Sequence, residues 1–305
     1  MLVVGVIRTV LGDAPSETLG RVNYHEHVFQ VSPLLPGDEL DEFEPSLKEV
    51  VRLRESGFQA MIDATPIGLG RQPDALKKIS ATTGVSIVAT TGLHREAHYV
   101  PDFFAFKLSE NELGDLFVKE IREGMGESSV KAGILKCGVD YWSISTHQKK
   151  VLGALAKAHH ETNSPIMIHT EHGSAAFEVV DFLSRLGVSH EAIVLAHMDR
   201  NPDPFLHRDL AELGVYVGYD GFGRPKIFPD SVLIACLSKV VNLGGGSRIL
   251  IGGDVARRSR YVEYGGMPGL EYLGKRVVPR LQEELGSEAV AMVLEGNAAR
   301  FLSRF

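Results

Sequence analysis

Cysteine is nearly absent from this chain of 305 residues: Cys137 and Cys236 are its only two, far apart in sequence. Two thiols cannot build a disulfide scaffold, so stability must come from a hydrophobic core, and each thiol reads as a small buried apolar residue in a protein of a reducing compartment. An excess of basic residues is missing as well. With 32 Lys and Arg against 39 Asp and Glu the formal net charge is −7, which gives no overall attraction to nucleic acid or to an anionic membrane. No apolar run reaches the length of a membrane span. The opening MLVVGVIRTVLG carries Arg8 early and has no basic start, so it lacks the shape of a secretory signal. There is no low-complexity segment, no linker and no long charge run at which to divide the chain. These absences leave a single domain over 1–305, cytoplasmic, with small molecules rather than nucleic acid or membrane as partners.

What is present is an alternation of short apolar runs with longer amphipathic stretches, the pattern of strands followed by covering helices in a parallel sheet. Eight runs read as strands: 22–27, 60–63, 86–90, 132–137, 165–169, 192–197, 215–219 and 248–254. Helices are expected at 44–56, 74–83, 109–123, 146–163, 174–186, 204–213 and 230–243, with a last one near 270–285. Ser145 is placed to cap the fourth helix, and Asn163 and Gly187 to close helices before the next strand. Eight strand and helix units in a chain of this length predict an α/β fold of the (β/α)8 TIM-barrel type, which typically takes about 250 residues. Residues 1–20, with Gly12, Asp13 and Pro15, read as a hairpin laid across one end of that barrel.

Metal-binding residue types recur at the ends of these strands. His25 and His27 close the first one, two positions apart and hence on one side of it. Alone, an HxH pair is a weak signal. The same location then holds Lys136 in GILKCG, His169 in IMIHTEHG, His197 in IVLAHMD and Asp254 in ILIGGD, where a barrel collects its active-site groups from separate strands. A lysine among metal ligands would repel the ions, unless its amine has reacted with carbon dioxide to give an anionic carbamate.

The HEH at 25–27 with Lys136, His169, His197 and Asp254, in this order, resembles the phosphotriesterase-like family of the amidohydrolase superfamily, as do the TVLGDAPSETLGRVNYHEH entry and the closing GNAARFL. The resemblance implies two divalent cations. His25, His27 and Asp254 would hold the more buried ion, His169 and His197 the more exposed one, and N6-carboxylated Lys136 both, with a bridging hydroxide as nucleophile and Asp254 as catalytic proton acceptor and donor. Zinc is the default for imidazole and carboxylate ligands, and manganese, cobalt or iron would also fit. A homodimer is compatible with the resemblance.

The family's substrates include organophosphate triesters, acyl-homoserine lactones, simple lactones and phosphorylated sugar lactones, so the loops must discriminate. YDGFGRPKIFPD supplies Arg224 and Lys226, and VARRSRYVEYGGMPGLEYL supplies Arg257, Arg258, Arg260 and Tyr261. Basic loops beside the metals suit a fixed anion on the substrate, which makes a phosphorylated or anionic sugar lactone the first expectation. Which of Arg257, Arg258 and Arg260 reaches it stays open, and surface salt bridges to Glu263 and Glu271 are the plain alternative. Tyr99, in the TGLHREAHYVP loop with His94 and His98, is a further candidate for contact with substrate. Glu171 and His172 are expected to line the pocket or to orient a metal ligand from behind it, without binding metal themselves, and His147, His159, His160, His190 and His207 to be solvated. A phosphotriesterase or acyl-homoserine lactonase, and a non-catalytic metal-containing binding protein, are the competing readings.

Overall fold

The computed structural model describes residues 5–224 and 226–303. An antiparallel hairpin, β1 (Val6–Thr9) with β2 (Gly12–Pro15), precedes eight parallel strands: β3 (Val22–Glu26), β4 (Ala60–Asp63), β5 (Ser86–Gly92), β6 (Ile134–Val139), β7 (Ile166–Thr170), β8 (Ile193–Ala196), β9 (Tyr216–Tyr219) and β10 (Ile249–Ile251). They are hydrogen-bonded in sequence order from β3 to β10. The ring closes beyond β10, where the Asp254 amide donates to the His25 carbonyl at 2.8 Å. Helices α1 (Phe43–Glu55), α2 (Pro73–Thr83), α3 (Glu110–Arg122), α4 (Thr146–Thr162), α5 (Ala176–Arg185), α6 (Pro204–Glu212), α7 (Asp230–Asn242) and α8 (Val278–Leu285) follow the strands. The chain is a (β/α)8 barrel.

Each strand presents alternate residues to two cores because its successive side chains point to opposite faces. Val22, Tyr24, Ala60, Ile62, Val88, Ile134, Met167, Val194, Ala196, Tyr216 and Leu250 fill the interior, while Met61, Ile87, Leu135, Ile168, Leu195, Val217 and Ile249 pack under the helices. Ile7 and Leu19 from the hairpin region, with Ala298, Phe301 and Leu302, extend the inner core at its lower end. The last three belong to a short terminal helix, α10 (Asn297–Leu302), which follows α9 (Ser287–Ala291). The hairpin sits against β5, with the Val10 amide donating to the Ile87 carbonyl at 2.8 Å.

The expected strands and helices recur within a few residues, with two differences. The last strand is shorter than 248–254, because 252–254 leave the sheet to form the closing turn. The helix expected as the last, α8, begins with a wide turn at Leu273–Val277 before its regular part, and the unexpected short helices α9 and α10 follow it. α3 and α4 both start with reciprocal capping boxes, Ser109 with Glu112 and Ser145 with Gln148, so the side-chain chemistry at those starts satisfies amides that the helix itself leaves unpaired.

Candidate metal centre

The barrel's alternation continues past the strands and aims polar side chains at its mouth. Inward-facing Ile134 and Met167 are followed two residues later by Lys136 and His169. His25 and His27 have the wrong parity relative to Val22 and Tyr24, and a register shift against β4 between Asn23 and Glu26 corrects it. This bulge allows both Tyr24 and His25 to face inward. His197 and Asp254 are turned into the mouth by left-handed backbone, with φ of 67° and 42°. At Gly218 a Cβ would come within 2.0 Å of the Tyr24 hydroxyl, so glycine there leaves the path by which that hydroxyl reaches Asp220.

His25 Nε2 and His27 Nε2 lie 3.8 and 3.7 Å from Asp254 Oδ1, and the three residues, all buried, form a group compact enough to hold one cation. The far nitrogens are engaged elsewhere: His27 Nδ1 is 2.8 Å from Thr65 Oγ1, and His25 Nδ1 is 3.0 Å from Asp220 Oδ2. The carboxylate can only accept, so the His25 proton sits on Nδ1 and the Nε2 lone pair faces the mouth, the tautomer that a metal ligand requires. Burial, helped by neighbouring cationic groups, holds His27 and His169 well below the ordinary histidine range and His197 at about 3, so these imidazoles are neutral. The donor set fits a divalent cation.

His25, His197 and Asp220 make a second compact group. Asp220 is not free to bind an ion there. Its oxygens accept from the Tyr24 hydroxyl, from His25 Nδ1, from His197 Nδ1 at 2.6 Å and from the His197 amide at 3.2 Å, so it orients two histidines instead. Burial opposes its charge, yet the two imidazoles hold it well below the usual carboxylate range. This residue was not singled out from the sequence.

Lys136 is fully buried, with Nζ donating to the Ala64 carbonyl at 2.8 Å and standing 3.4 Å from His25 Nε2. Burial lowers its amine to about 8, against the pull of Asp254, Asp220 and Asp63. His169 packs against His197, ring centroids 4.4 Å apart, with its Nε2 at 3.2 Å from Glu171 Oε2. Glu171 is in turn held by Arg95 at 2.8 Å. Asp254 Oδ2 accepts from Arg224 at 2.6 Å and Arg200 at 3.0 Å; burial works against its ionisation, and Arg224 followed by His25 and His197 overcomes it.

The pocket above this cluster encloses about 210 Å³ and is lined by Arg95, Arg200, Arg224, Arg257 and Arg260 against only two acids, Glu171 and Asp254. Arg260 is pulled down to about 10, by burial first and then by Arg224, Arg257 and Arg200, with Asp254 opposing. Of the substrate-contact candidates, Arg257 and Arg260 therefore reach the pocket. Arg258 does not: the short turn at Arg258–Arg260 directs it outward onto Glu42 and over the Tyr264 ring. Tyr261 is fully buried and donates to the His27 carbonyl at 2.7 Å, which braces a strand end without facing the pocket. Tyr99 is also buried, its hydroxyl accepting from the His94 amide at 2.7 Å, while His94 and His98 stack at 4.0 Å and line the pocket. Lys226 is exposed and lies outside the lining.

Arg95 and Arg200 are not marked in the sequence, because they stand three and four residues beyond their strands, in connecting turns where arginine is ordinary. Two of the expected solvated histidines are buried: His207 bonds the Tyr219 hydroxyl and the Met198 carbonyl, and His159 the Ser164 carbonyl. Both sit on helix faces that turn toward the barrel.

Fold and site together define a barrel with a buried histidine and carboxylate cluster suited to divalent cations at its C-terminal mouth. The phosphotriesterase family profile matches residues 5–302, and the chain belongs to that family, as a hydrolase acting on ester bonds. It is 30% identical to a phospho-furanose lactonase of Mycoplasmopsis synoviae, over 97% of this chain and 91% of that one. A lactonase of Listeria monocytogenes superposes with a TM-score of 0.93 at 32% identity, covering 98% of this chain and 99% of its own. The phosphotriesterase homology protein of Escherichia coli, solved with phosphate in its active site, gives 0.87 at 29% identity over 93% and 99%.

Proposed function

We propose that the protein is a binuclear metal-dependent lactonase that opens a phosphorylated or otherwise anionic sugar lactone. The observation that carries this reading is the five-arginine lining of a small pocket directly above a buried His, His and Asp cluster. Two of those guanidiniums, Arg95 and Arg200, are ion-paired but keep a buried Nε without a hydrogen-bond partner among the described residues, and unmet donors of this kind call for an oxygen acceptor on a ligand. The name of the Mycoplasmopsis relative and the phosphate in the Escherichia coli structure support the same chemistry.

In this reading His25, His27 and Asp254 hold the more buried cation, His169 and His197 the other, and carboxylated Lys136 both. The neutral amine is the form that adds carbon dioxide, and burial favours it at Lys136. Zinc suits the donors. When bound, the cations supply a hydroxide at neutral pH and polarise the lactone carbonyl. Asp254, kept ionised by Arg224 and Arg200, takes up the proton released on attack and returns it to the ring oxygen as the ester bond breaks. Arg257 and Arg260 anchor the distant anion, which positions the ring over the cluster. Leu34, Leu35 and Ile227 are the large apolar side chains in the lining, too little for the wide apolar pocket that a triesterase or acyl-homoserine lactonase would want.

The test is an assay of metal-loaded protein on sugar lactones with and without a phosphate. A preference for the phosphorylated ring is expected, with Arg260→Gln raising its KM on the order of 10- to 100-fold, as loss of a charge-assisted contact does. Equal rates on both, or a preference for long-chain acyl lactones, defeats the anion anchor.

A further inference from the structure

A second cavity, about 420 Å³, adjoins the reaction pocket and shares Arg200 with it; its other walls are Tyr141, Trp142, His172, Ser174 and Asn201. Tyr141 and Trp142 leave 61% and 63% of their surface exposed, an unusual cost in apolar area for side chains without a partner. Their backbone is held deliberately. Trp142 is left-handed, with φ of 50°, and its amide donates to Ser174 Oγ at 3.0 Å, which in turn donates to the Glu171 carbonyl at 2.6 Å.

Seven described residues other than glycine have such a backbone. His197, Asp254 and Ala256 are at the metal mouth and Asn163 closes α4, while the remaining three, Trp142, His172 and Ala175, are in or next to this cavity. Strained backbone concentrates where a fold positions ligand-binding groups, and here it marks two neighbouring places.

The walls select a ligand class. Tyr141 meets Trp142 at 74° and His172 at 83°, with centroids 6.2 and 6.1 Å apart, so the aromatic rings form corners and no parallel pair between which a flat base could slide. A corner suits a puckered ring that lays C–H groups on one face while its hydroxyls reach polar groups, and Ser174, Asn201 and Arg200 supply these. Arg200 already pairs with Asp254, so the cavity offers no unpaired fixed charge, and a neutral ligand fits. Tyr141 and Trp142 follow β6, whereas Arg257 and Arg260 follow β10, four strands away in a ring of eight. The two sets therefore stand on opposite sides of the mouth.

We propose that this cavity is a subsite for a neutral sugar unit, glycosidically joined to the lactone that is opened at the metal centre. The proposal rests on the lactonase reading for what lies in the adjoining pocket. The chain holds a single tryptophan, Trp142, so intrinsic tryptophan fluorescence reports on this cavity alone.

Titration with maltobionate, a glycosyl aldonate with no ester to hydrolyse, is expected to change that fluorescence saturably in the millimolar range, with gluconate leaving it unchanged. No response to maltobionate at tens of millimolar, or a response to adenosine and none to the disaccharide acid, overturns the proposal. In turnover, the ratio of kcat/KM on maltobionolactone to that on gluconolactone should fall about tenfold in Trp142→Ala, the scale of one lost aromatic contact; an unchanged ratio is equally fatal. If neither lactone is hydrolysed, the fluorescence decides the subsite, and the lactonase reading stands or falls separately on the phosphorylated lactone.

Discussion

Asp220 and Asp254 are buried carboxylates beyond the ends of adjacent strands, and their hydrogen bonds give them different work. Asp220 is saturated by the donors of Tyr24, His25 and His197, whereas Asp254 keeps Oδ1 toward His25 and His27. Asp254→Asn is expected to cost kcat about 10²- to 10⁴-fold, the weight of a general base, with the protein still folded by circular dichroism. Asp220→Asn should instead loosen the metals, by about 10- to 100-fold in affinity as for other orienting carboxylates, seen in competition with a chelator. Full metal affinity in Asp220→Asn would refute its orienting role. The difference was not legible in the sequence. An HxH and a lone Asp or His after an apolar run can be read by residue type and place, and they supplied His25, His27, His169, His197 and Asp254. A carboxylate in YDG looks like any turn or helix cap, and no pattern within RRSR tells which guanidinium the turn at Arg258–Arg260 sends outward.

The strands could be read because a barrel strand is buried on both faces and so shows as a continuous apolar run. What a run does not show is where its alternation breaks. The bulge in β3 depends on Asn23, whose Oδ1 accepts from the His25 and Gly253 amides at 3.3 and 3.1 Å and whose amide donates to Glu26 Oε1 at 3.1 Å. One side chain thereby stands in for backbone pairing where the first and last strands meet. Asn23→Ala would leave these buried groups unpaired, at about 1–3 kcal/mol each before relaxation. A drop of about 2–4 kcal/mol in unfolding free energy with an unchanged denaturant slope is expected, together with weaker metal binding, since His25 loses its register. A variant as stable as the parent would mean that the bulge forms without Asn23.

Across the whole molecule, charge is distributed against its own average: the chain carries −7, yet the mouth of the barrel gathers five arginines and a buried lysine around two acids. Without metals, Lys136 is an amine at 0% exposure with one backbone carbonyl at 2.8 Å and His25 Nε2 at 3.4 Å as its acceptors, an arrangement that favours neither a charged lysine nor a stable site. Metal loading should therefore act on the stability of the entire fold. A ligand present at a thousand times its Kd adds about 4 kcal/mol, which for a domain of this size corresponds to a Tm increase of roughly 10 °C. Chelation should lower Tm by that order and added zinc restore it, with metal content followed by elemental analysis. Lys136→Met separates this from a general loss of structure, because the two effects have opposite signs. Removing the buried amine should raise the Tm of the chelated protein, while the increment on adding zinc disappears. A zinc increment of the parent's size in Lys136→Met would show that the lysine takes no part in holding the ions.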